Sequence, residues 1–233
     1  MIAKIGKKIR LAEDTLLIEF KLPGKVSYVP GQSFEVKLLN PPYRDREGTS
    51  RFFSIANDSG LRDYVTTITR IRKSAFKRSL KKMPVGSPVE VGSIGGTFLL
   101  PREKKQSLVF IAGGVGITPF HSMIEYSLRQ RGWQVQLLYS NRNRRRTVHF
   151  EELRELGGKK RNFEVVFTMT DDRAWKGESS RINSRFIKRY VKTPKSKLYY
   201  LAGSPRINYD ITEALHTLGV PAKNIKTEDF TGY

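Results

Sequence analysis

A glycine-rich run at residues 112–119, AGGVGITP, has the residue types and spacing of an anion-binding turn. Glycines let the backbone pass close to a bulky anion and adopt a positive φ. Thr118 suits the N-cap of a following helix, and Pro119 suits its first position. Because the N–H groups at a helix start attract phosphate, this run, with Gly114 and Gly116, predicts a dinucleotide pyrophosphate site. An ordinary strand-to-helix turn is the alternative.

The residues after the next predicted strand bear on which dinucleotide is bound. Pro119 stands where the usual fingerprint has its third glycine, and Ser140-Asn141-Arg142 stands where an acidic residue would grip the adenosine ribose of NAD. Ser140 and Arg142, with Arg144 to Arg146 close behind, instead suit a 2′-phosphate, since guanidinium forms strong charge-assisted bonds to phosphate. The pattern favours NADP over NAD, with a solvated basic loop as the alternative.

These candidate residues lie in a stretch where apolar strands alternate with helices. Strands are predicted at 108–112, 133–139, 163–169, 197–202 and 224–228, and helices at 119–131, 150–156, 184–191 and 205–218. Such alternation is typical of a doubly wound parallel sheet with right-handed crossovers. Ligands on these sheets bind beyond the carboxyl ends of the strands, where the glycine-rich run is expected.

The first hundred residues show a different pattern, in which turn residues separate short β-rich segments. Strands are predicted at 15–20, 33–39, 51–56 and 64–71, and one short helix at 75–80 with Ser74 as its N-cap. Several short strands with little helix predict a small antiparallel β-barrel. The predicted fold class is therefore β plus α/β, with a barrel domain at 1–102 and a doubly wound nucleotide-binding domain at 107–233.

Composition narrows the redox chemistry that the chain can perform. The absence of cysteine excludes disulfides, cysteine-ligated iron–sulfur clusters and thiol redox chemistry within the chain. His121, His149 and His216 are scattered without metal-ligand spacing, so no metal site is expected. Any redox centre must then be an organic cofactor or lie on a partner.

The net charge of +21 is spread evenly, +11 over residues 1–106 and +10 over residues 107–233. Such an excess favours acidic partners through electrostatic steering, with simple solubility as the alternative. A nucleic-acid-binding module would concentrate the charge on one element, so the even distribution argues against it. No apolar run is long enough for a membrane span, and the first residues lack a secretory h-region, so a cytoplasmic protein is expected.

Five segments, in this order, resemble the ferredoxin–NADP reductase superfamily of FAD-containing electron-transfer flavoproteins. They lie at 51–56 (RFFSIA), 95–98 (GGTF), 113–119 (GGVGITP), 202–205 (AGSP) and 227–233 (TEDFTGY). The resemblance spans nearly the whole chain. It implies an N-terminal flavin-binding barrel and a C-terminal NADP-binding domain, in agreement with the two halves described above.

The resemblance implies a flavin site on the barrel. Arg51 would pair with the FAD pyrophosphate, Phe53 would lie against the isoalloxazine ring, and Ser54 would lie near flavin N5. Strand alternation puts Phe52 and Ser54 on one face and Arg51 and Phe53 on the other, so a ligand at the strand's edge would meet both. Thr69 and Arg70 would lie on the next strand, where it touches the flavin. Ser74, Ala75 and Phe76 would offer N–H groups to the FAD phosphates from a helix start, with a capped surface helix that buries Phe76 as the alternative. From the residues alone, 51–54 is a plain core strand.

The resemblance also implies a nicotinamide site near the C-terminus. Gly203 and Pro205 belong to a second strand-to-helix turn, and Glu228 would lie near the nicotinamide and flavin N5. Phe230 would cover the second face of the flavin, and Tyr233 would share that role or stack on adenine. Ser54, Glu228 and Phe230 are thus the expected catalytic residues.

The function implied is an FAD-dependent reductase that passes electrons between NAD(P)H and a small acidic one-electron acceptor such as ferredoxin or flavodoxin. The candidate docking residues for that acceptor are basic: Arg70, Arg72, Lys73, Lys77, Arg78, Lys81 and Lys82. A solvated helix face is the alternative for this cluster. The reductase component of an oxygenase system, or a free flavin or ferric reductase, is the alternative function.

Overall fold

Two sheets built from consecutive parts of the chain form the molecule, seen in a computed structural model that describes residues 1–101 and 107–230. The first sheet has six antiparallel strands in the order β4-β3-β6-β1-β2-β5. Its elements are β1 (Ile2–Ala12), β2 (Thr15–Val26), β3 (Ser33–Leu38), β4 (Ser50–Ser54), β5 (Arg62–Arg70), helix α1 (Ala75–Lys82) and β6 (Pro88–Gly95).

The six-stranded sheet curls so that its two edge strands approach each other. Ala56, just beyond β4, donates its N–H to the carbonyl of Thr66 on β5 at 2.8 Å. The interior is filled by side chains with almost no exposure, among them Phe20, Phe34 and Phe76. Helix α1 contributes Phe76 to this core.

The second sheet has five parallel strands in the order β11-β10-β7-β8-β9. Its elements are β7 (Ser107–Gly113), α2 (Ile117–Arg129), β8 (Gln134–Asn141), α3 (Phe150–Lys159), β9 (Phe163–Met169), α4 (Ser184–Tyr190), β10 (Leu198–Gly203), α5 (Pro205–Thr217) and β11 (Ile225–Asp229). The chain runs outward from β7 to one side and returns to the other side at β10. This reversal opens a crevice at the carboxyl ends of β7 and β10.

Helix α2 fastens the second sheet to the barrel through three hydrogen bonds. Thr118 Oγ1 lies 3.1 Å from the carbonyl oxygen of Ile68, and Ser122 Oγ lies 3.1 Å from that of Ile55. His121 Nδ1 lies 2.9 Å from the carbonyl oxygen of Ala56. One hydrophobic cluster continues across this junction, since it contains barrel residues as well as α2 residues. The two sheets therefore share a packed interface.

The structure confirms the predicted fold class and adds two strands that the sequence analysis missed, β1 and β6. Ser74 is the N-cap of α1, as predicted, and its Oγ accepts a hydrogen bond from the N–H of Lys77. The predicted domain limits stay a prediction, because residues 102–106 lie outside the described residues. None of the helices in the described ranges is long and apolar enough to cross a membrane.

The prediction for the start of α2 was wrong. The helix begins at Ile117, its N-cap is Gly116, and a short 3₁₀ turn at Gly114–Gly116 precedes it. Thr118 and Pro119 therefore lie inside the first turn. The hydroxyl of Thr118 donates to barrel and turn carbonyls instead of capping the helix, which explains the difference.

Gly116, the N-cap of α2, lies directly against the backbone of β10. A Cβ on this residue would lie 1.9 Å from the backbone oxygen of Ala202, and neighbouring backbone atoms leave no room for it to move. We expect Gly116→Ala to lower the free energy of unfolding by about 3 kcal/mol or more, because the strand or the helix must shift. Urea unfolding followed by circular dichroism measures this change.

Gly158, on helix α3, is the matched control. A Cβ there would meet nothing within 4 Å. Gly158→Ala should leave stability unchanged or raise it by up to about 1 kcal/mol, through helix propensity alone. Equal stability of the two variants would contradict the close approach at Gly116.

Candidate functional site

A cleft of roughly 490 Å³ opens at the carboxyl ends of the parallel strands and reaches the barrel. Arg70 at the end of β5 forms part of its wall, beside Gly113, Gly114 and Ser140 from the second sheet. The lining is strongly basic and includes Arg70, Arg72, Arg142, Arg146, Arg181 and Arg206, against Asp210 as the acidic member. Guanidinium groups gathered in this way suit a ligand that carries phosphates.

The glycine-rich turn forms the floor of this cleft. Gly114 has a φ of +58°, and a Cβ on it would lie 3.2 Å from the Nη2 atom of Arg70. Glycine here lets the backbone turn and brings it beside a guanidinium group. The carbonyl of Gly114 accepts a hydrogen bond from the Tyr139 hydroxyl at 2.9 Å, and burial raises the pKa of that hydroxyl well above its usual range.

The predicted nucleotide residues divide into two groups. Gly114, Ser140 and Arg142 line the cleft. The other predicted residues do not line the cleft and instead lie where α2 and α5 begin: Gly116, Thr118, Pro119, Gly203 and Pro205. Their assignment to direct cofactor contact stays a prediction.

Two arginines that the sequence analysis missed also line the cleft. Arg181 precedes α4, and Arg206 is the second residue of α5, where its Nε lies 3.0 Å from Asp210 Oδ1. Arg206 directly follows the predicted turn at 202–205, so its position after Pro205 could have identified it as a cleft residue. Arg181 carried no such signal, because it lies in a long irregular segment between β9 and α4.

Ser54 and Glu228 meet at the junction of the two sheets although 174 residues separate them. The Ser54 hydroxyl donates to Glu228 Oε1 at 3.1 Å. Burial raises the pKa of Glu228 to about 7, and the hydrogen bond from Ser54 opposes that rise. Glu228 Oε2 is buried and has no hydrogen-bond partner within the described residues. A buried polar atom of this kind fits a bound ligand that supplies the missing partner.

The C-terminal segment that carries Glu228 is held in place by neighbouring polar groups. Asn208 on α5 donates its side-chain amide to the carbonyl of Glu228 at 2.9 Å and to Asp229 Oδ1 at 2.7 Å. The Phe230 N–H donates to the carbonyl of Gly203 at 2.8 Å, and its ring packs against the shared hydrophobic cluster. Tyr233 lies outside the described residues.

On the barrel, carboxylates contact the groups that were predicted to bind the FAD pyrophosphate. Asp45 Oδ2 accepts a hydrogen bond from the N–H of Ala75, the first residue of α1, at 2.9 Å. Glu47 Oε2 lies 2.5 Å from Arg51 Nη2. Carboxylate and phosphate oxygens are recognised by the same donors, so this region has the donor set of an anion site.

The two phenylalanines of the RFFS segment face different ways. Phe52 is 67% exposed, whereas Phe53 is 7% exposed and packs with Phe34 and Phe76. Arg51 and Phe53 both contact the Phe76 ring, which confirms that they share a face. The contact of Phe52 with a cofactor stays a prediction.

Lys77 lies across Phe53 at the place predicted for the isoalloxazine ring. Its Nζ is 4.5 Å from the Phe53 ring centroid and contacts the Thr69 hydroxyl. Burial, with help from Arg51, lowers the pKa of Lys77 to about 7. A flavin could reach Phe53 only if the Lys77 side chain swung aside, a step that the sequence analysis did not foresee.

The raised pKa of Glu228 predicts how the free energy of unfolding depends on pH. The folded state holds this proton more tightly than the unfolded chain, whose ordinary value is 4.5. The contribution of Glu228 to stability is therefore complete below that value and is lost as pH rises through about 7. Glu228→Gln should abolish this loss, on the order of 1–3 kcal/mol between pH 5 and pH 8.

Urea unfolding at several pH values measures the difference between the variant and the unmodified protein. Glu213→Gln is the control, since Glu213 is exposed on α5, and it should follow the unmodified protein. Parallel profiles for Glu228→Gln and the unmodified protein would contradict the burial of an ionisable carboxyl at this junction.

Comparison with known proteins agrees with this geometry. The family model of the oxidoreductase NAD-binding domain matches residues 110–213, which cover most of the second sheet. One component of the Na(+)-translocating NADH-quinone reductase of Psychrobacter cryohalolentis is 25% identical over 207 residues, which are 85% of this chain and 45% of the relative. The chain thus spans about half the length of the curated relatives it matches.

Solved structures share the fold over nearly the whole chain. A ferredoxin NADP+ reductase from Neisseria gonorrhoeae with bound FAD and NADP superposes with a TM-score of 0.83 at 18% identity, covering 98% of each chain. The ferredoxin reductase in carbazole 1,9a-dioxygenase gives a TM-score of 0.86 at 22% identity, covering 99% of this chain and 69% of the other. The chain thus has the two-part fold of these reductase structures, and its residues 110–213 match the oxidoreductase NAD-binding domain.

Proposed function

We propose that this chain is an FAD-dependent reductase that passes electrons between NAD(P)H and a one-electron acceptor protein. The observation that carries the proposal is the hydrogen bond between Ser54 and Glu228, which joins the end of β4 on the barrel to β11 on the second sheet. This hydrogen-bonded pair lies where a flavin held by the barrel and a nicotinamide held by the second sheet would meet. The names of the relatives, a component of an NADH-quinone reductase and ferredoxin reductases, support the same class of reaction.

The barrel would hold FAD through the anion site on β4 and α1. Arg51 and the N–H of Ala75 would bind the pyrophosphate. The pyrophosphate would then take the places of Glu47 and Asp45, their present partners. Thr69 and Phe53 would contact the isoalloxazine ring after Lys77 moves away. Bound FAD supplies the redox chemistry, since it accepts two electrons together and releases them singly.

The arginine-lined cleft would hold the dinucleotide. Gly114 and Arg70 would take the pyrophosphate, while Ser140 and Arg142 would take a ribose 2′-phosphate. This division favours NADP over NAD. Arg181 and Arg206 add positive charge at the far side of the same cleft, which strengthens binding of a phosphorylated ligand.

Glu228 and Ser54 would provide a proton-binding group and a hydrogen bond at the reaction centre. With a pKa of about 7, Glu228 can hold or release a proton at Oε2 near neutral pH, while Ser54 fixes Oε1. Phe230 would shield this point from water, because its backbone is tied to Gly203 and its ring lies on the shared cluster. The protein's part is thus positioning and electrostatics.

The acceptor is proposed to be a small acidic electron carrier. Of the predicted docking residues, Arg70 and Arg72 line the cleft and Lys77 is partly buried. The remaining basic side chains are exposed and lie outside the cleft lining: Lys73, Arg78, Lys81 and Lys82. An oxygenase component is the alternative acceptor, supported by the name of the carbazole dioxygenase relative. The cytoplasmic location stays a prediction.

The function is tested by adding FAD to the purified protein and titrating with NADPH and NADH without oxygen. We expect stoichiometric FAD binding and loss of the oxidised flavin absorption on addition of NADPH, with weaker affinity for NADH. Gly158→Ala serves as a folded control. Folded protein that bound no FAD, or bound FAD that neither nucleotide reduced, would contradict the proposal.

Asp45 and Glu47 occupy the donors that FAD would use, so they are predicted to compete with FAD binding. Asp45→Asn removes a negative charge from the start of α1, so we expect FAD to bind roughly 2–5-fold more tightly. Fluorescence quenching of FAD on titration with protein measures the dissociation constant. Asp63→Asn, an exposed residue on β5, should leave it unchanged. An unchanged or weaker affinity for Asp45→Asn would show that the pyrophosphate does not replace Asp45.

A further inference from the structure

The fold brings together two of the three histidines, which the sequence analysis judged too scattered for a metal site. His121 lies on α2, and His149 is the N-cap of α3. Their ring centroids are 4.4 Å apart, and Glu152 on the first turn of α3 lies between them. One donor atom from each of the three residues lies within 4.8 Å of the other two. This cluster takes no part in the proposed cofactor site.

The hydrogen bond between His121 and the barrel determines which nitrogen of His121 carries a proton. His121 Nδ1 lies 2.9 Å from the carbonyl oxygen of Ala56, and a carbonyl only accepts, so Nδ1 must donate. In the neutral ring, Nε2 then presents a lone pair. That nitrogen faces Glu152 Oε1 at 3.4 Å, so two acceptors point at each other. A positive species, either a proton or a metal cation, is needed between them.

His149 completes the set from the other side of the carboxylate. Its Nδ1 lies 2.5 Å from Glu152 Oε2, while its Nε2 is buried with no hydrogen-bond partner among the described residues. Its backbone has a φ of +55°, in the left-handed region that costs energy for a non-glycine residue.

We propose that His121, His149 and Glu152 form a binding site for a divalent transition metal of the Zn²⁺ class. Two imidazoles and one carboxylate are a common donor set for Zn²⁺. The hydrogen bond from His121 Nδ1 to Ala56 is the kind of outer contact that orients a ligating histidine. The Glu152 side chain is 54% exposed, which gives the ion an entry path and leaves room for water as a fourth ligand.

The site would link three parts of the molecule. Ala56 lies just beyond β4, two residues after Ser54, and the two histidines come from α2 and α3. A bound ion would therefore tie both helices to the barrel margin. Its role would be structural, because the cluster lies away from the arginine-lined cleft and shares no lining residue with it.

The test is a titration of chelator-treated protein with Co²⁺, followed by competition with Zn²⁺. The proposal predicts stoichiometric Co²⁺ binding with the visible absorption of a low-symmetry site, displacement by Zn²⁺ and a Zn²⁺-dependent rise in melting temperature. His121→Asn, His149→Asn and Glu152→Gln should each weaken Co²⁺ binding at least roughly 10-fold. FAD binding needs no metal here, so failure of this test leaves the proposed function standing.

His216 with Glu213 supplies the matched control, since they form an exposed His–Glu pair 3.5 Å apart on α5. His216→Asn should bind Co²⁺ as the unmodified protein does. Folded, unmodified protein that showed no Co²⁺ absorption would overturn the proposal and leave a proton between His121 and Glu152. Equal loss of binding in His216→Asn, or full binding after Glu152→Gln, would also overturn it.

Discussion

Three carbonyl groups of the barrel, those of Ile55, Ala56 and Ile68, become covered where the second sheet docks, and helix α2 supplies a partner to each. A buried carbonyl without a partner costs about 1–3 kcal/mol, so the three contacts act together as a constraint on how the sheets meet. Their donors, Thr118, His121 and Ser122, lie within two turns of α2. Once the start of this helix is fixed on the barrel, the glycine-rich turn before it is fixed as well. This places Gly114 beside Arg70 and leaves Ser54 within reach of Glu228.

The charge distribution follows from the same docking. Arginines from both sheets converge on one cleft, whereas Glu228 is withdrawn into the junction and paired with a hydroxyl. The cleft therefore favours a phosphorylated ligand, whereas burial raises the pKa of the Glu228 carboxyl at the junction of the two sheets. On the barrel, Asp45 and Glu47 contact donors that would otherwise attract phosphate. These internal carboxylates neutralise donors that, under the proposed function, the FAD pyrophosphate would bind.

The sequence predicted most of the fold because local patterns and tertiary packing agree in most elements. β1 was missed because register irregularities between Ile5 and Lys8 interrupt its alternation of apolar and polar residues. β6 was missed because Gly92 and Gly95 weaken its strand signal. The N-cap of α2 was misassigned because Thr118 bonds to a barrel carbonyl 50 residues away, a partner that no local rule reveals.

The same limit applies to the candidate site. The motif around Arg51 and the acidic residue Glu228 were visible in the sequence, because their residue types match a known pattern. The role of Arg181, the position of Lys77 over Phe53 and the pairing of His121 with His149 were not visible, since each depends on contacts between different elements of the fold. Spacing along the sequence is a poor guide to ligands that come from different helices.

A crystal structure of the FAD complex tests the central claim most directly. The account predicts that the isoalloxazine ring lies at the junction between Ser54 and Glu228, that the pyrophosphate contacts Arg51 and the start of α1, and that Lys77 has moved off Phe53. A flavin bound anywhere else, or a pyrophosphate in the arginine-lined cleft with Asp45 and Glu47 still in place, would contradict it.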